Sequence, residues 1–312
     1  MKREGRPVSA PSRSHGNLDL EIAGVRLQIV PPADVRLRSP GPLYRGFRAT
    51  VFDAGKVPAI AIRLSTNGFP SLGGLRQRFA AADSWSVLEG GGRRWIVFHP
   101  AQRVEPHWIA RFDECVRRVT VFCKAHPLKG GKGRPVLDQP VSYPLDQLLM
   151  MHHLARRRGM LLHAAGVVIA GKAYLFAGAS GAGKSTFSLL LAAARAGKML
   201  SDERVIVRLV KGNWVAFGTP WAGTANIASA ASAPLAGIFL LKHGKANRIV
   251  PLDPVSAADR MLPMISIPWY DPDAAAPIVA FVKRLASRVP AHEFSFVRDG
   301  AAVSHFLKSI RE

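Results

Sequence analysis

Cysteine is scarce in this chain, with only Cys115 and Cys123 among 312 residues. They stand eight apart, with no Cys-x-x-Cys string and no Cys/His pairing around them. A disulfide framework and a thiolate metal site are therefore disfavoured, and structural thiols are expected. Long hydrophobic runs are missing too: no uninterrupted apolar stretch reaches the ~18–20 residues needed to cross a bilayer. The opening Met1-Lys-Arg-Glu-Gly-Arg-Pro leads into no apolar signal segment. These absences make a cytoplasmic protein without a membrane partner the expectation. Acidic residues are outnumbered, 21 against 43 basic ones, for a formal charge of +22. The surplus is spread evenly, +11 in residues 1–150 and +11 in 151–312, without a basic block interleaved with aromatics. A nucleic-acid arm is thereby disfavoured, while a nucleotide or an acidic peptide suits the charge. No internal repeat is present at a useful period.

What is present suits a buried core of some size: 48% hydrophobic residues and a mean hydropathy of +0.09. Residues 1–16, rich in Pro, Ser, Gly and Arg, read as a disordered tail. From 17 to about 140 come short β-leaning stretches, at Leu18–Val30, Phe47–Val51, Ala59–Leu64, Trp95–Phe98 and Val116–Cys123. They predict a smaller, mostly β N-terminal domain with one or two helices. Phe112–Val119 fits either a helix or a strand. Residues 125–144, with Lys129-Gly-Gly-Lys-Gly and four prolines, read as a linker or long loop. A helix opening at Pro144-Leu-Asp146 ends by Gly159, with Arg156-Arg157-Arg158 at its negative end. His152 and His153 fall on this helix as core or surface residues. Residues 141–312 then read as an α/β domain, with strands at Leu161–Ile169, Ala173–Ala177, Met199–Leu200, Val205–Val210, Trp214–Phe217 and Gly237–Lys242 and a late helix at Ala276–Ser287.

The densest chemistry is Gly178-Ala179-Ser180-Gly181-Ala182-Gly183-Lys184-Ser185-Thr186. It matches the phosphate-loop pattern G-x-x-x-x-G-K-[ST] in full, between an apolar strand, Tyr174-Leu-Phe-Ala177, and a helix-forming run, Phe187-Ser-Leu-Leu-Leu-Ala-Ala. Glycines let backbone N–H groups converge on phosphate oxygens, and the helix N-terminus adds its positive end. Lys184 is expected to reach the β- and γ-phosphates, and the Ser185 hydroxyl to enter a Mg²⁺ shell. ATP with Mg²⁺ is the expected ligand pair. A glycine-rich turn before an ordinary helix would explain Gly178 and Gly183 but not Lys184-Ser185.

Two further strings flank the loop: Leu161-Leu-His163-Ala-Ala-Gly, with His163 21 residues before Lys184, and Ser201-Asp202-Glu203-Arg204-Val, with Asp202 18 residues after it. On these residues the sequence resembles the HPr kinase/phosphorylase superfamily, whose kinase domain shares its fold with phosphoenolpyruvate carboxykinase. The resemblance is specific over roughly residues 145–225. It implies a phosphate-loop kinase domain, with Asp202 taking the proton from a serine hydroxyl, His163 positioning it, and Glu203 helping to hold magnesium. The alternative for His163 is a buried histidine satisfied by the backbone, and for Asp202 a turn residue. Two adjacent acids on a strand point to opposite faces unless the strand ends there. The Glu-Ile-Arg-Gly-like stretch of true HPr kinases is missing. Phe217-Gly-Thr-Pro-Trp221 stands in its place, as in divergent relatives that phosphorylate ribosomally made peptides such as lasso-peptide precursors. Trp221 closes over the site or packs in the core; both readings stay open.

The expected function is thus an ATP-dependent serine kinase acting on a peptide or protein, with homo-oligomerisation left open. A kinase of a small hydroxylated molecule such as free serine is the first alternative, and a non-catalytic nucleotide-binding partner the second. An ABC-type or motor ATPase does not fit, because Met199-Leu-Ser-Asp-Glu comes too soon after the loop and carries a polar residue in its apolar run.

Overall fold

The computed structural model describes residues 16–49, 59–82, 84–99, 105–126 and 133–311. Residues 1–15 of the expected tail, residues 50 and 51 of the stretch expected at Phe47–Val51 and residues 127–132 of the expected linker lie outside the described residues. The fold is mixed α/β with more than one sheet. Among the described residues no helix is long and apolar enough to cross a membrane.

The first half supplies β1 (Leu18–Ile22), β2 (Val25–Val30), β3 (Arg36–Leu37), β4 (Ile60–Ser65), β5 (Arg76–Ala81), β6 (Trp85–Gly90), β7 (Arg93–Phe98), β8 (Trp108–Phe112), β9 (Arg118–Cys123) and β10 (Val136–Leu137). Eight of them form one sheet in the order β1-β2-β4-β9-β8-β7-β6-β5, while β3 and β10 pair separately. Alternation explains the sheet: in β2 and β4 every second residue is buried, as a half-covered strand requires. The expected helices are not found here: among the described residues before Leu145 there is one 3-10 helix, Pro42–Phe47. It occupies the start of the stretch expected as a strand, because Pro42 opens a helical turn and Phe47 is drawn into the core. The ambiguous Phe112–Val119 is neither one helix nor one strand. The Asp113 carboxylate accepts the Arg117 and Arg118 amides and turns the chain from β8 into β9. Cys115 and Cys123 are both free, and burial pushes the Cys123 thiol up to about 12.

The second half begins with α1 (Leu145–Ala155), followed by β11 (Gly159–Ile169), β12 (Lys172–Ala177), α2 (Lys184–Ala193), β13 (Lys198–Ser201), β14 (Arg204–Val210), β15 (Asn213–Phe217), β16 (Ser232–His243), β17 (Arg248–Pro251), α3 (Pro254–Met261), α4 (Pro272–Ala286), β18 (Ala291–Phe296) and α5 (Gly300–Ser309). Its sheet runs β12-β11-β14-β15-β16-β18-β17, with β12 also pairing β16. Strands β12, β16 and β18 are mutually parallel, and β12 is buried along nearly its whole length, as a strand covered on both faces must be. Helices α3 and α4 cover one face. On the other, α2 and α5 pack on an aromatic cluster of Phe176, Phe187, Phe239, Phe294, Phe296 and Phe306. A third apolar cluster joins the first sheet to α1, Leu161, Ile206 and Trp221, so one core runs across both halves.

Buried polar groups reinforce that junction. Arg94 of β7 pairs with Asp271, the residue before α4, at 2.9 Å. The His152 Nε2 lies 2.9 Å from the Tyr270 hydroxyl, and its Nδ1 is 3.7 Å from the Asp271 carboxylate. Burial, with Arg94 and Arg156 nearby, pushes His152 down to about 3. Burial and Arg157 push His153 down to about 4. Both histidines fold as neutral rings, so their contribution is complete above pH ~6.5 and is lost as pH falls toward those values. Asp146, raised to about 6 by burial, and Asp271, also raised by burial, work in the opposite direction over part of the window, but His163 and His292, both held down by burial, add to the other side. The melting temperature is therefore expected to fall as pH drops from 6.5 to 4. His152→Gln, which keeps a donor and acceptor but no titration, should melt lower at pH 7 yet show a flatter acid limb in calorimetry across that range.

Candidate active site

The phosphate loop occupies the carboxyl end of β12, and α2 begins at Lys184. This is the edge of a parallel sheet where ligands bind, with the helix N-terminus aimed at the loop. Gly183 caps the helix at φ +98°, and a Cβ there would stand 2.7 Å from the Phe296 ring, so glycine is required twice over. Gly178 is buried, Ala179, Ser180 and Gly181 are exposed, and Ala182, Gly183, Ser185 and Thr186 are half-buried. The Phe187 ring anchors the first turn of α2 against Phe176, 4.7 Å away between centroids. Lys184 is buried, and its Nζ donates to the carbonyls of Gly178 (2.8 Å) and Ala179 (3.2 Å).

Strand β11 is flanked by β12 on one edge and by β14, continued by β13, on the other. Gly159–His163 pair with β14, ending at His163 opposite Arg204; Ala164–Ile169 pair with β12, starting at Ala164 opposite Ala177. His163 therefore stands in the fork between the strand entering the phosphate loop and the turn Asp202-Glu203 entering β14. Its Nε2 lies 2.9 Å from Glu203 Oε1, and Arg204 Nη2 is 3.9 Å from the same oxygen. Burial, then Arg204 and Lys184, hold the imidazole below its ordinary value, against the pull of Glu203. The pair is accordingly a neutral ring donating Nε2–H to a carboxylate. Lys184 is held below its usual value by burial, with Glu203 opposing and Arg204 adding to the depression. His163, Glu203 and Lys184 thus converge electrostatically beside the loop.

Asp202, where the proton acceptor is expected, is bound to backbone amides. Its side chain is fully buried, and its two oxygens accept the backbone amides of Gly223 (2.9 Å), Ala225 (2.7 Å) and Ile227 (3.2 Å). The carboxylate is consumed in folding the segment after β15 into a loop. Asp202 and Glu203 form the bend between β13 and β14; both carboxylates approach Gly223, and Glu203 reaches on to His163. That loop is fastened further by the Thr219 hydroxyl on the Arg204 carbonyl and by Gly218, where a Cβ would sit 2.0 Å from the Ser229 oxygen.

Comparison with known proteins gives a limited likeness. A family described as SynChlorMet cassette protein ScmC matches residues 143–271, less than half of the chain but spanning His163, the phosphate loop, Glu203 and Trp221. No curated protein matches. Among solved structures, the Hpr(Ser) kinase/phosphatase from Coxiella burnetii is similar, with 13% identity over 48% of this chain and 95% of that one. Its TM-score is 0.30, too low for the likeness to bear on function.

Several neighbours of the site carried no signal in the sequence. His243, at the end of β16, turns its Nε2 to both the Gly181 carbonyl and Arg298 Nη2. A guanidinium only donates, so these two contacts are alternatives for one ring nitrogen. Trp221 meets both readings: it is buried and donates Nε1–H to Asp146 Oδ2 at 2.9 Å, yet it lines a cleft that includes Glu203. Only Gly-Thr-Pro before Trp221 marked this loop in advance.

The different duties of the two acids can be measured. Asp202→Ala leaves three amides without their acceptor and should cost about 2–4 kcal/mol in chemical denaturation. Glu203→Gln, half-buried and still able to bond His163, should stay within about 0.5 kcal/mol of the parent.

Proposed function

We propose that this chain is an ATP-dependent kinase that phosphorylates a serine hydroxyl of a peptide or protein, with magnesium as its cofactor. The observation that carries this reading is the meeting of His163 and Glu203 beside a complete phosphate loop. A nucleotide-binding module would need the loop alone. A carboxylate held by a neutral imidazole next to the loop lysine supplies the additional group that transfer requires.

The loop amides and the N-terminus of α2 receive the triphosphate, and Lys184 exchanges its bonds to the Gly178 and Ala179 carbonyls for phosphate oxygens. The serine oxygen attacks the γ-phosphorus, the bond to the bridging oxygen of ADP breaks, and the hydroxyl proton passes to the Glu203 carboxylate. His163 fixes the direction of that carboxylate through Nε2–H and keeps its charge available. Arg204 and Lys184 offset the negative charge spreading over the transferred group. The products are phosphoserine and ADP.

The donor set fits magnesium. Ser185 offers a hydroxyl in the first turn of α2, and Glu203, expected to share the metal, is assigned to the proton instead. No group of three or more His, Cys, Asp or Glu side chains among the described residues forms a cage. Magnesium prefers this arrangement, bound by one or two protein oxygens and the substrate's phosphates. When bound, it would neutralise charge on the β- and γ-phosphates.

Labelled ATP tests the assignment. Lys184→Ala is expected to lose both nucleotide affinity and transfer. Glu203→Gln should retain nucleotide affinity while transfer falls ~100-fold or more. If Glu203→Gln transfers at the parental rate, the proton-acceptor role is wrong.

A further inference from the structure

A cleft of about 550 Å³ has Glu203 and Arg204 among its walls. The rest of its lining is mostly apolar: Leu43 from the 3-10 helix, Tyr143 just before α1, and Pro220 and Trp221 from the loop fastened by Asp202. The cleft is thus assembled from both halves of the chain. It shares with the reactive cluster the one residue placed to receive the acceptor's proton. Another cleft, of about 410 Å³ around Phe47 and Phe217, shares no residue with that cluster.

Its walls are built to hold shape. Asp146 Oδ2 accepts both the Tyr44 hydroxyl (2.7 Å) and the Trp221 indole N–H (2.9 Å), and the Tyr44 oxygen accepts the Tyr143 amide (3.0 Å). The second Asp146 oxygen takes the Gln147 amide. One buried carboxylate therefore pins two aromatic walls from elements far apart in sequence. Tyr143 by contrast is 67% exposed and presents its ring to any occupant.

We infer that this cleft selects a peptide whose serine lies beside a large apolar side chain: the apolar group seats against Leu43, Tyr143 and Trp221, and the serine hydroxyl reaches Glu203. The inference rests on the kinase reading and gives that site its substrate class. Free serine is a poor occupant. It brings two charged groups and no apolar surface, while Glu203 is already bonded to His163 and the apolar walls would stay unused. The volume falls within the ~300–1,000 Å³ of pockets that enclose ligands much larger than one amino acid. Arg204 at the rim, in a chain of net charge +22, favours acidic flanks around the apolar residue.

The probes are glutamate-flanked nonapeptides with a central serine and one phenylalanine walked through the two positions on either side. An all-glycine version serves as reference, and each peptide has a Ser→Ala twin. Binding of the twins is read by fluorescence anisotropy, and phosphorylation of the serine forms by label from ATP; free serine is run in parallel. At least one phenylalanine position should bind about tenfold tighter than the reference. Tyr143→Ala and Leu43→Ala should each erase that preference while leaving nucleotide affinity intact. Preferential binding of the twins without transfer to the serine forms would sustain the cleft and overturn the kinase reading. Transfer with no preference for phenylalanine, transfer to free serine at an equal or better rate, or no binding of any probe would overturn the inference. A preference that survives both substitutions would overturn it as well.

Discussion

At His163 and Ala164, strand β11 carries the end of β12 on one edge and the junction between β13 and β14 on the other, and the rest of the site depends on that coincidence. Strand β12 ends opposite Ala164, and β14 begins opposite His163, so both openings fall at the same level of β11. The phosphate loop leaves from one side and Asp202-Glu203 arrives from the other. His163 is the last residue paired with β14 and so projects where both meet. The convergence of His163 and Glu203, 21 and 19 positions from the lysine, is a property of backbone hydrogen bonding before it is one of side chains.

The neighbouring acids show how one turn serves both stability and chemistry. Asp202 is buried and sets the 218–227 loop through three amides; Glu203 is half-buried and faces the histidine. Gly223 ties the two together, since a Cβ there would come within 3.0 Å of oxygens on both side chains. The loop therefore lies directly over the carboxylate that would act on an acceptor. Any movement of residues 220–224 changes the access to Glu203.

Much of this was legible from residue order. The glycine spacing, the strand before it and the helix after it marked the loop, and short apolar, β-leaning stretches covered β2, β4 and β12. Which of two adjacent acids faces the site was not legible, because strand periodicity assigns sides only once the strand's end is known. The 3-10 helix at Pro42–Phe47 was also hidden, since its apolar residues read equally well as a strand. The three late helices did leave a mark: each follows an aspartate, at Asp253, Asp271 and Asp299. Asp253 and Asp299 cap their helices through side-chain bonds to backbone amides. Asp271 makes no such cap, because Arg94 from the distant β7 has taken its carboxylate. Tertiary pairing there overrides a local signal, and no local pattern could foretell it.

Asp146 poses the same problem in a more exacting form. A fully buried carboxylate is costly, and burial raises it to about 6, so the fold must gain something from keeping it. What it gains is a single acceptor reached from three directions: Tyr44 from the 3-10 helix, Trp221 from the loop over Glu203, and α1 through Gln147. An apolar residue at this position could fill the space but could not fix the rotation of two aromatic rings at once. Hydrogen bonds are directional where dispersion is not, so the carboxylate specifies one arrangement of the cleft among many of similar packing. The junction between the halves of the chain is thus a shaped surface as well as a core, and its shape is set one residue away from where Tyr143 and Pro144 lead into α1.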